Sequence, residues 1–296
     1  MEIHSTKAEL NSDSQRIKFI KDWLQEKKLS VPAVHIVLGS GFAAALTADD
    51  SQKLFSSWTF EGEIPFKDLV GINPSTAPGH KGSFRYYQHK ESKKVICFQT
   101  GRLHGYEGNS PQAVVKPVTT AFDVGTKNFL ITNAAGSLQN HMKAGSVMII
   151  TDQFNFTGLN PLTGHNDESK GPRFPDMSQI YDPEVNTKLN RNLKAENLVT
   201  HEGIYIGVNG PSFESPAETQ LFSHWGMGSV GMSTVFEGIA LKHRGARIGA
   251  LSFLANMGAG IGDKAGSTLT GEEVLEEGLK KAPMILRALF KTAEEI

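Results

Sequence analysis

The sequence predicts an α/β protein, a single domain with a mixed central β-sheet flanked by helices. Three observations predict it. Short apolar runs alternate with segments of helical period along most of the chain, as when strands and helices interleave. One pair of runs, 83–88 and 94–99, flanks a polar turn at 90–93 and reads as an antiparallel hairpin within that order. The chain has 296 residues, 39% of them hydrophobic, without internal repeat or low-complexity linker, so it can bury one large core.

Taken in order, residues 1–13 are polar and read as a flexible N-terminal tail, leaving 14–296 as the single domain. Ile17, Ile20, Trp23 and Leu24 fall at helical spacing. Pro32 opens an apolar run, 33–38, ending in Gly39-Ser40-Gly41: a strand, a tight turn and a helix start. Residues 55–63 carry no clean period and read as irregular. Ser110-Pro111 marks a helix N-terminus, because proline at the first helical position lacks only an N–H that would be unpaired anyway. Strand-length runs follow at 129–132, 147–151, 204–208, 230–232 and 248–253. Ser215-Pro216-Ala217-Glu218 has the capping-box spacing, which Thr270 and Glu273 repeat before the last helical pattern. Pro283 is expected to kink or divide that helix. Residues 159–175 form a long irregular stretch, a length typical of functional loops.

Composition excludes several roles. Net charge is −1 and no basic stripe is visible, so nucleic acid is not an expected partner. No apolar run approaches the roughly 20 residues that span a bilayer, and the N-terminus lacks an apolar signal region. No membrane partner and a cytoplasmic location are expected. Cys97, the only cysteine, lies in Val95-Ile96-Cys97-Phe98 and reads as a small buried hydrophobe.

Candidate chemistry clusters at predicted strand ends. Gly39-Ser40-Gly41 turns amides and a hydroxyl toward one point, which suits an anion. Gly39-x-Gly41-x-x-Ala44 also fits the relaxed dinucleotide fingerprint, but no second strand ending in an acid about 20 residues on supports that reading. Arg102 and His104 follow a strand directly; if the chain stays extended they point together, a guanidinium fork and an imidazole for phosphate. Otherwise they belong to a polar surface loop. His80, in Pro78-Gly79-His80, adds a further imidazole or only a turn. Thr132-Asn133-Ala134-Ala135-Gly136 lets a ligand approach the main chain, or is a close-packed turn. Glu214 beside Phe213 suits a heterocycle, or merely complements the helix N-terminus that follows. Ser233 in Gly231-Met232-Ser233-Thr234 offers a hydroxyl, and Asn256 is a cap or a reader of a base edge. Ligands of open α/β sheets bind at strand C-ends, so the set describes a phosphate site beside a heterocycle site.

In their order, GSG, PGH, GRLHGYEG, TNAAG, NGPSFES, GMST and the Asn closing a long strand make residues 37–256 resemble the trimeric, high-molecular-mass purine nucleoside phosphorylases. The resemblance implies phosphate on Ser40, Arg102, His104, the Ala134 backbone and Ser233, with His80 as a mobile histidine nearby. It implies Tyr106 and Met232 on ribose, Tyr205 lining the pocket, and Glu214 with Asn256 gripping the purine under Phe213. His104, Glu214 and Asn256 are then the catalytic group. Arg173-Phe174 resembles a loop that closes the neighbouring subunit's ribose pocket, which implies a homotrimer. The implied reaction is phosphorolysis of 6-oxopurine ribo- and deoxyribonucleosides, with inorganic phosphate as co-substrate and neither cofactor nor metal. Gly271 stands where mammalian members carry a histidine facing the 5′-hydroxyl, so altered 5′ groups could enter; Ser137 replaces a second glycine. A 5′-methylthioadenosine or xanthosine-accepting phosphorylase is therefore an alternative within the family. Outside it stand a dinucleotide-dependent oxidoreductase and a non-catalytic nucleoside-binding module.

Overall fold

Val34 and Ile36 enter one apolar core and Val37 another, because successive side chains of a strand leave opposite faces. The computed structural model describes residues 7–39, 41–47, 55–73, 82–262 and 271–296. The elements run α1 (Lys7–Glu26), β1 (Val34–Val37), α2 (Phe42–Thr47), β2 (Trp58–Pro65), β3 (Ser83–His89), β4 (Val95–Gln99), α3 (Pro111–Val124) and β5 (Asn128–Ser137). They continue β6 (Val147–Asn155), α4 (Pro183–Ala195), β7 (Thr200–Gly207), α5 (Pro216–His224), β8 (Met227–Gly231), α6 (Val235–His243), β9 (Arg247–Met257) and α7 (Gly271–Glu295). One core takes Ile20 and Leu24 of α1, Val114 and Val118 of α3, and Phe236 and Leu241 of α6. The other takes Phe42 of α2, Leu189 of α4 and Leu289 of α7. Helices thus cover both faces of a mixed sheet, as the alternating pattern predicts.

Among the described residues nine strands lie in the order β2-β3-β4-β1-β5-β8-β7-β6-β9, and β5 also pairs with β9. The last five therefore close on themselves as a barrel. β1 is parallel to β4 and β5, and β5 is parallel to β9, so their C-terminal ends share one edge. β8 meets β5 antiparallel only at Gly136↔Val230 and Ser137↔Ser229, which brings the two C-terminal ends together.

Four expectations need correction. Helix α1 begins at Lys7, inside the stretch read as a flexible tail. Its early turns are tied down by Arg16, whose guanidinium reaches Thr120 Oγ1 (2.7 Å), the Val70 carbonyl (2.5 Å) and Asp13 (2.6 Å). The segment read as irregular, 55–63, holds most of strand β2; its alternation is hidden by a register shift between Phe60 and Gly62. Pro283 does not divide α7, because Ala282, Ile285, Leu286 and Leu289 around it are buried and outweigh a cost of about 3 kcal/mol. Strands β5, β6 and β9 run past the apolar residues that mark them, because barrel pairing carries the ladder into Asn133–Ser137, to Asn155 and to Met257. Thr270 lies outside the described residues, so its cap stays an expectation. Cys97 is buried in β4, and burial pushes its thiol pKa up. Among the described residues no helix is long and apolar enough to cross a membrane.

Candidate active site

Gly39 closes β1 against β5 so tightly that a Cβ there would stand 2.7 Å from the Asn133 Cα. Only glycine permits that approach, and the Gly39 N–H donates to Thr132 Oγ1 (2.9 Å), which donates to the Val37 carbonyl (3.0 Å). The turn after β1 is thereby locked beside Asn133 and Ala134. The chain leaving β4 delivers Arg102 to the same edge. Its Nη2 donates to the Thr132 carbonyl (3.0 Å) and its Nε to Glu237 Oε1 (3.1 Å). Arg102 is 3% exposed and Glu237 1%.

His104 lies two residues on, buried, with Nδ1 donating to Glu107 Oε1 at 3.0 Å. Glu107 also accepts from the His104 backbone N–H, so this carboxylate fixes both main chain and ring. The imidazole stacks on Tyr106, ring centroids 4.7 Å apart and 17° from parallel. Burial raises the Tyr106 pKa, and nearby Glu107 adds to it while Arg102 opposes it.

Ser233 follows β8. Its N–H donates to Tyr205 Oη (3.3 Å), and its hydroxyl lies 3.2 Å from that of Thr234. Thr234 has φ 71° and ψ −50°, with the Val235 N–H donating to the Ser233 carbonyl at 2.8 Å. This is a γ-turn of the rarer, positive-φ kind. Such strain costs roughly 1–3 kcal/mol and concentrates where ligands bind. Asn133 Nδ2 donates to Thr234 Oγ1 (2.9 Å) and holds the turn. Thr234 can then donate to Ser233, leaving the Ser233 O–H to donate outward.

Arg102, Gly105, Asn209, Met232, Ser233 and Thr234 line one cleft. Gly210 presses on Met232 there; a Cβ on it would collide with the Met232 sulfur. Asn256 pairs in register with Gly136, itself opposite Val230, so it enters the same region from β9. Asn256 Nδ2 donates to the Met257 carbonyl (2.9 Å), leaving its second N–H and its Oδ1 for other partners. Glu214 is half-buried and its pKa is raised by burial, with Glu218 adding to it.

The structure brings most sequence-predicted residues together. Arg102, Ala134, Met232, Ser233 and Asn256 meet at the strand C-ends, His104 and Tyr106 stack just after Arg102, and Glu214 stands half-buried before α5. Tyr205 is a correction: it lines no open pocket but is fully buried, with its hydroxyl beneath Ser233. Burial pushes its pKa up to about 12, Ser233 and Arg102 oppose that, and Glu214 adds to it. Phe213 is exposed beside Glu214, and Phe174 stands 88% exposed on its loop, away from this cluster. Ser40 and His80 lie outside the described residues.

A family model described as the phosphorylase superfamily matches residues 34–291. The chain is 37% identical over 258 residues to purine nucleoside phosphorylase 1 of Bacillus subtilis, covering 87% of this chain and 89% of that one. The chain belongs to the purine nucleoside phosphorylase family. The bovine enzyme is 34% identical over 265 residues, 88% of either chain. A Schistosoma purine nucleoside phosphorylase solved with hypoxanthine superimposes with a TM-score of 0.80 at 26% identity, covering 98% of this chain and 99% of that one. A Schistosoma mansoni structure of that enzyme with adenosine gives 0.79, covering 96% of each chain.

For this member of the phosphorylases, reasoning from the sequence missed the residues behind the site. Thr132, Asn133, Thr234 and Glu237 hold the Gly39 turn, Arg102 and Ser233 in place. Three lie in or beside motifs already singled out, but Glu237 looks like an ordinary first-turn acid of α6.

Proposed function

We propose that this cleft catalyses reversible phosphorolysis of 6-oxopurine nucleosides to free base and pentose 1-phosphate. The observation that carries the reading is the convergence of Arg102, Ser233 and the Asn133–Ala134 main chain, with Asn256 brought beside Gly136 and Val230 by the strand register. Phosphate seated on Arg102 and Ser233 presents an oxygen to C1′ of the sugar. The C1′–O bond forms as C1′–N9 breaks, and the N9 electron pair leaves with the purine. Holding nucleophile and sugar together supplies proximity, and the dianion offsets the positive charge developing on the ribose. Asn256 donates to N7 as charge builds there, the role of an oxyanion-hole donor. Glu214 accepts from N1–H, which adenine lacks. Ser40, His80 and His104 complete the phosphate contacts, and Tyr106 and Met232 the ribose contacts. No metal or cofactor takes part in this scheme.

A homotrimer accompanies the proposal. Phe174 projects from a loop pinned by Arg173 to the Leu162 carbonyl (3.1 Å) and by Gln112 to the Thr163 carbonyl (3.0 Å). In this proposal the exposed ring closes a neighbour's ribose pocket. Gly271, which opens α7, leaves recognition of the 5′ group to be measured.

The deciding experiment assays inosine, guanosine, xanthosine, adenosine and 5′-methylthioadenosine with and without orthophosphate. Base release should require phosphate, with inosine and guanosine well ahead of adenosine; a site built for a hydrogen bond rejects its absence by up to about 10⁴–10⁵. Because a Schistosoma relative has been solved with adenosine, that arm is the most exposing. Preference for adenosine would overturn the specificity, and release indifferent to phosphate the reaction.

A further inference from the structure

Glu237 occupies the third position of α6, where an acid ordinarily turns back to cap its own helix. Glu218 does this in α5, accepting from the Ser215 N–H at 2.8 Å within a complete capping box. Glu237 does not: α6 has no side-chain cap, and the strained Thr234 stands at its start. Its Oε1 instead accepts from Arg102 Nε at 3.1 Å. Its Oε2 is buried with no hydrogen-bond partner among the described residues. A fully buried carboxylate that gives up its cap, and leaves one oxygen unpaired, is committed to the guanidinium. The α6 N-terminus makes its charge tolerable there.

Two consequences follow for Arg102. Nε is held by Glu237 and one Nη2 N–H by the Thr132 carbonyl. The guanidinium has five N–H donors, so the remaining N–H groups, two on Nη1 and one on Nη2, form a rigid edge. The carboxylate also cancels much of the guanidinium charge, so the anion meets a nearly neutral pair reinforced by hydroxyl and amide donors. From these contacts we infer that Glu237 is a positioning residue that aims Arg102 and, through its own charge, keeps phosphate from binding too tightly to be exchanged. The inference rests on the reading of Arg102 as a phosphate-binding group.

Those two effects separate by substitution. Glu237→Asp withdraws the acceptor and keeps the charge; Glu237→Ala removes both, and there the freed rotation of Arg102 outweighs the lost charge. The phosphate KM should rise about tenfold or more, the cost of a hydrogen bond to a charged group, while the nucleoside KM changes little. Glu237→Gln keeps an acceptor for Nε but deletes the charge 3.1 Å from the guanidinium. Phosphate should then bind several-fold more tightly than in the unaltered protein. The measurements are KM for each substrate, orthophosphate affinity by calorimetry, and Tm for every variant. A purely structural role would lower Tm and disturb both substrates alike in all three variants. That pattern, or any result in which the Gln and Ala variants do not shift phosphate affinity in opposite directions, overturns the inference. If Ala fails to fold, the Asp–Gln contrast decides. Unaltered protein that binds orthophosphate but releases no base would defeat the proposed reaction and leave the Glu237 test intact, because calorimetry needs no turnover.

Discussion

Glu214 shows how burial sets the chemistry of a single side chain. Removing the carboxylate from water disfavours its charged form, so its pKa rises above the ordinary carboxylate value, with Glu218 pushing the same way. Only the ionised form accepts cleanly from a purine N1–H. At saturating phosphate, kcat/KM for inosine should therefore fall on the acid side at a pH above that of a solvent-exposed glutamate. In Glu214→Gln this acid limb should disappear, with activity at neutral pH about 10–100-fold lower, the range for a lost hydrogen bond to a charged group. The same shift bears on stability. Because the native state holds this proton more tightly than the unfolded chain, the contribution is present below the ordinary carboxylate pKa and is lost as pH rises through the raised value. The Gln variant should accordingly gain Tm near neutrality while losing activity. A variant that keeps the acid limb would remove Glu214 from base recognition.

Elements carry the site where residues alone could not. Ser215 accepts from the Glu218 N–H at 3.3 Å, and Glu218 returns the bond to the Ser215 N–H, so the first turn of α5 fixes the chain just after Glu214. Ser215→Ala should cost about 1 kcal/mol of stability. It should also raise the nucleoside KM and leave the phosphate KM near its original value, since Arg102 and Ser233 stand on other elements. Equal changes in both constants would show that α5 supports the whole cleft. This element was legible beforehand because a Ser-Pro start and an acid three residues on are local signals; Ser110-Pro111 is another, and its hydroxyl accepts from the Ala113 N–H at 3.2 Å. The hairpin was legible for the same reason. Strand β2 was not, since the shift between Phe60 and Gly62 puts the two halves of its alternation out of phase. The true ends of β5 and β9 were hidden too: what extends them is pairing between strands far apart in the chain, and Asn256 is placed by its register with Gly136 rather than by its neighbours in sequence. The residues supporting the site escaped for a similar reason. Glu237 gains its meaning from Arg102, 135 residues away.

At the scale of the whole molecule, the proposed homotrimer can be tested on the aromatic surface. Phe154 and Phe156, at the end of β6, lie with ring centroids 5.9 and 6.1 Å from Trp225 at the end of α5, and all three are exposed. Contiguous exposed aromatics of this kind mark interaction surfaces. The loop bearing Phe174 continues from the same β6 end, so the proposed trimer is tested at both features together. Replacing Phe156 and Trp225 together by Asp should leave each subunit folded, as judged by circular dichroism. It should also shift the mass in analytical ultracentrifugation to a single chain and make specific activity fall on dilution. Mixing supplies the stricter test. Phe174→Ala subunits keep an intact Asn256 but lack the ring, whereas Asn256→Ala subunits keep the ring and lack the purine contact. Co-refolded, they form some interfaces in which an intact site receives an intact loop. The mixture should then exceed the mean activity of its two parents. Activity equal to that mean would show that each site is complete within one chain.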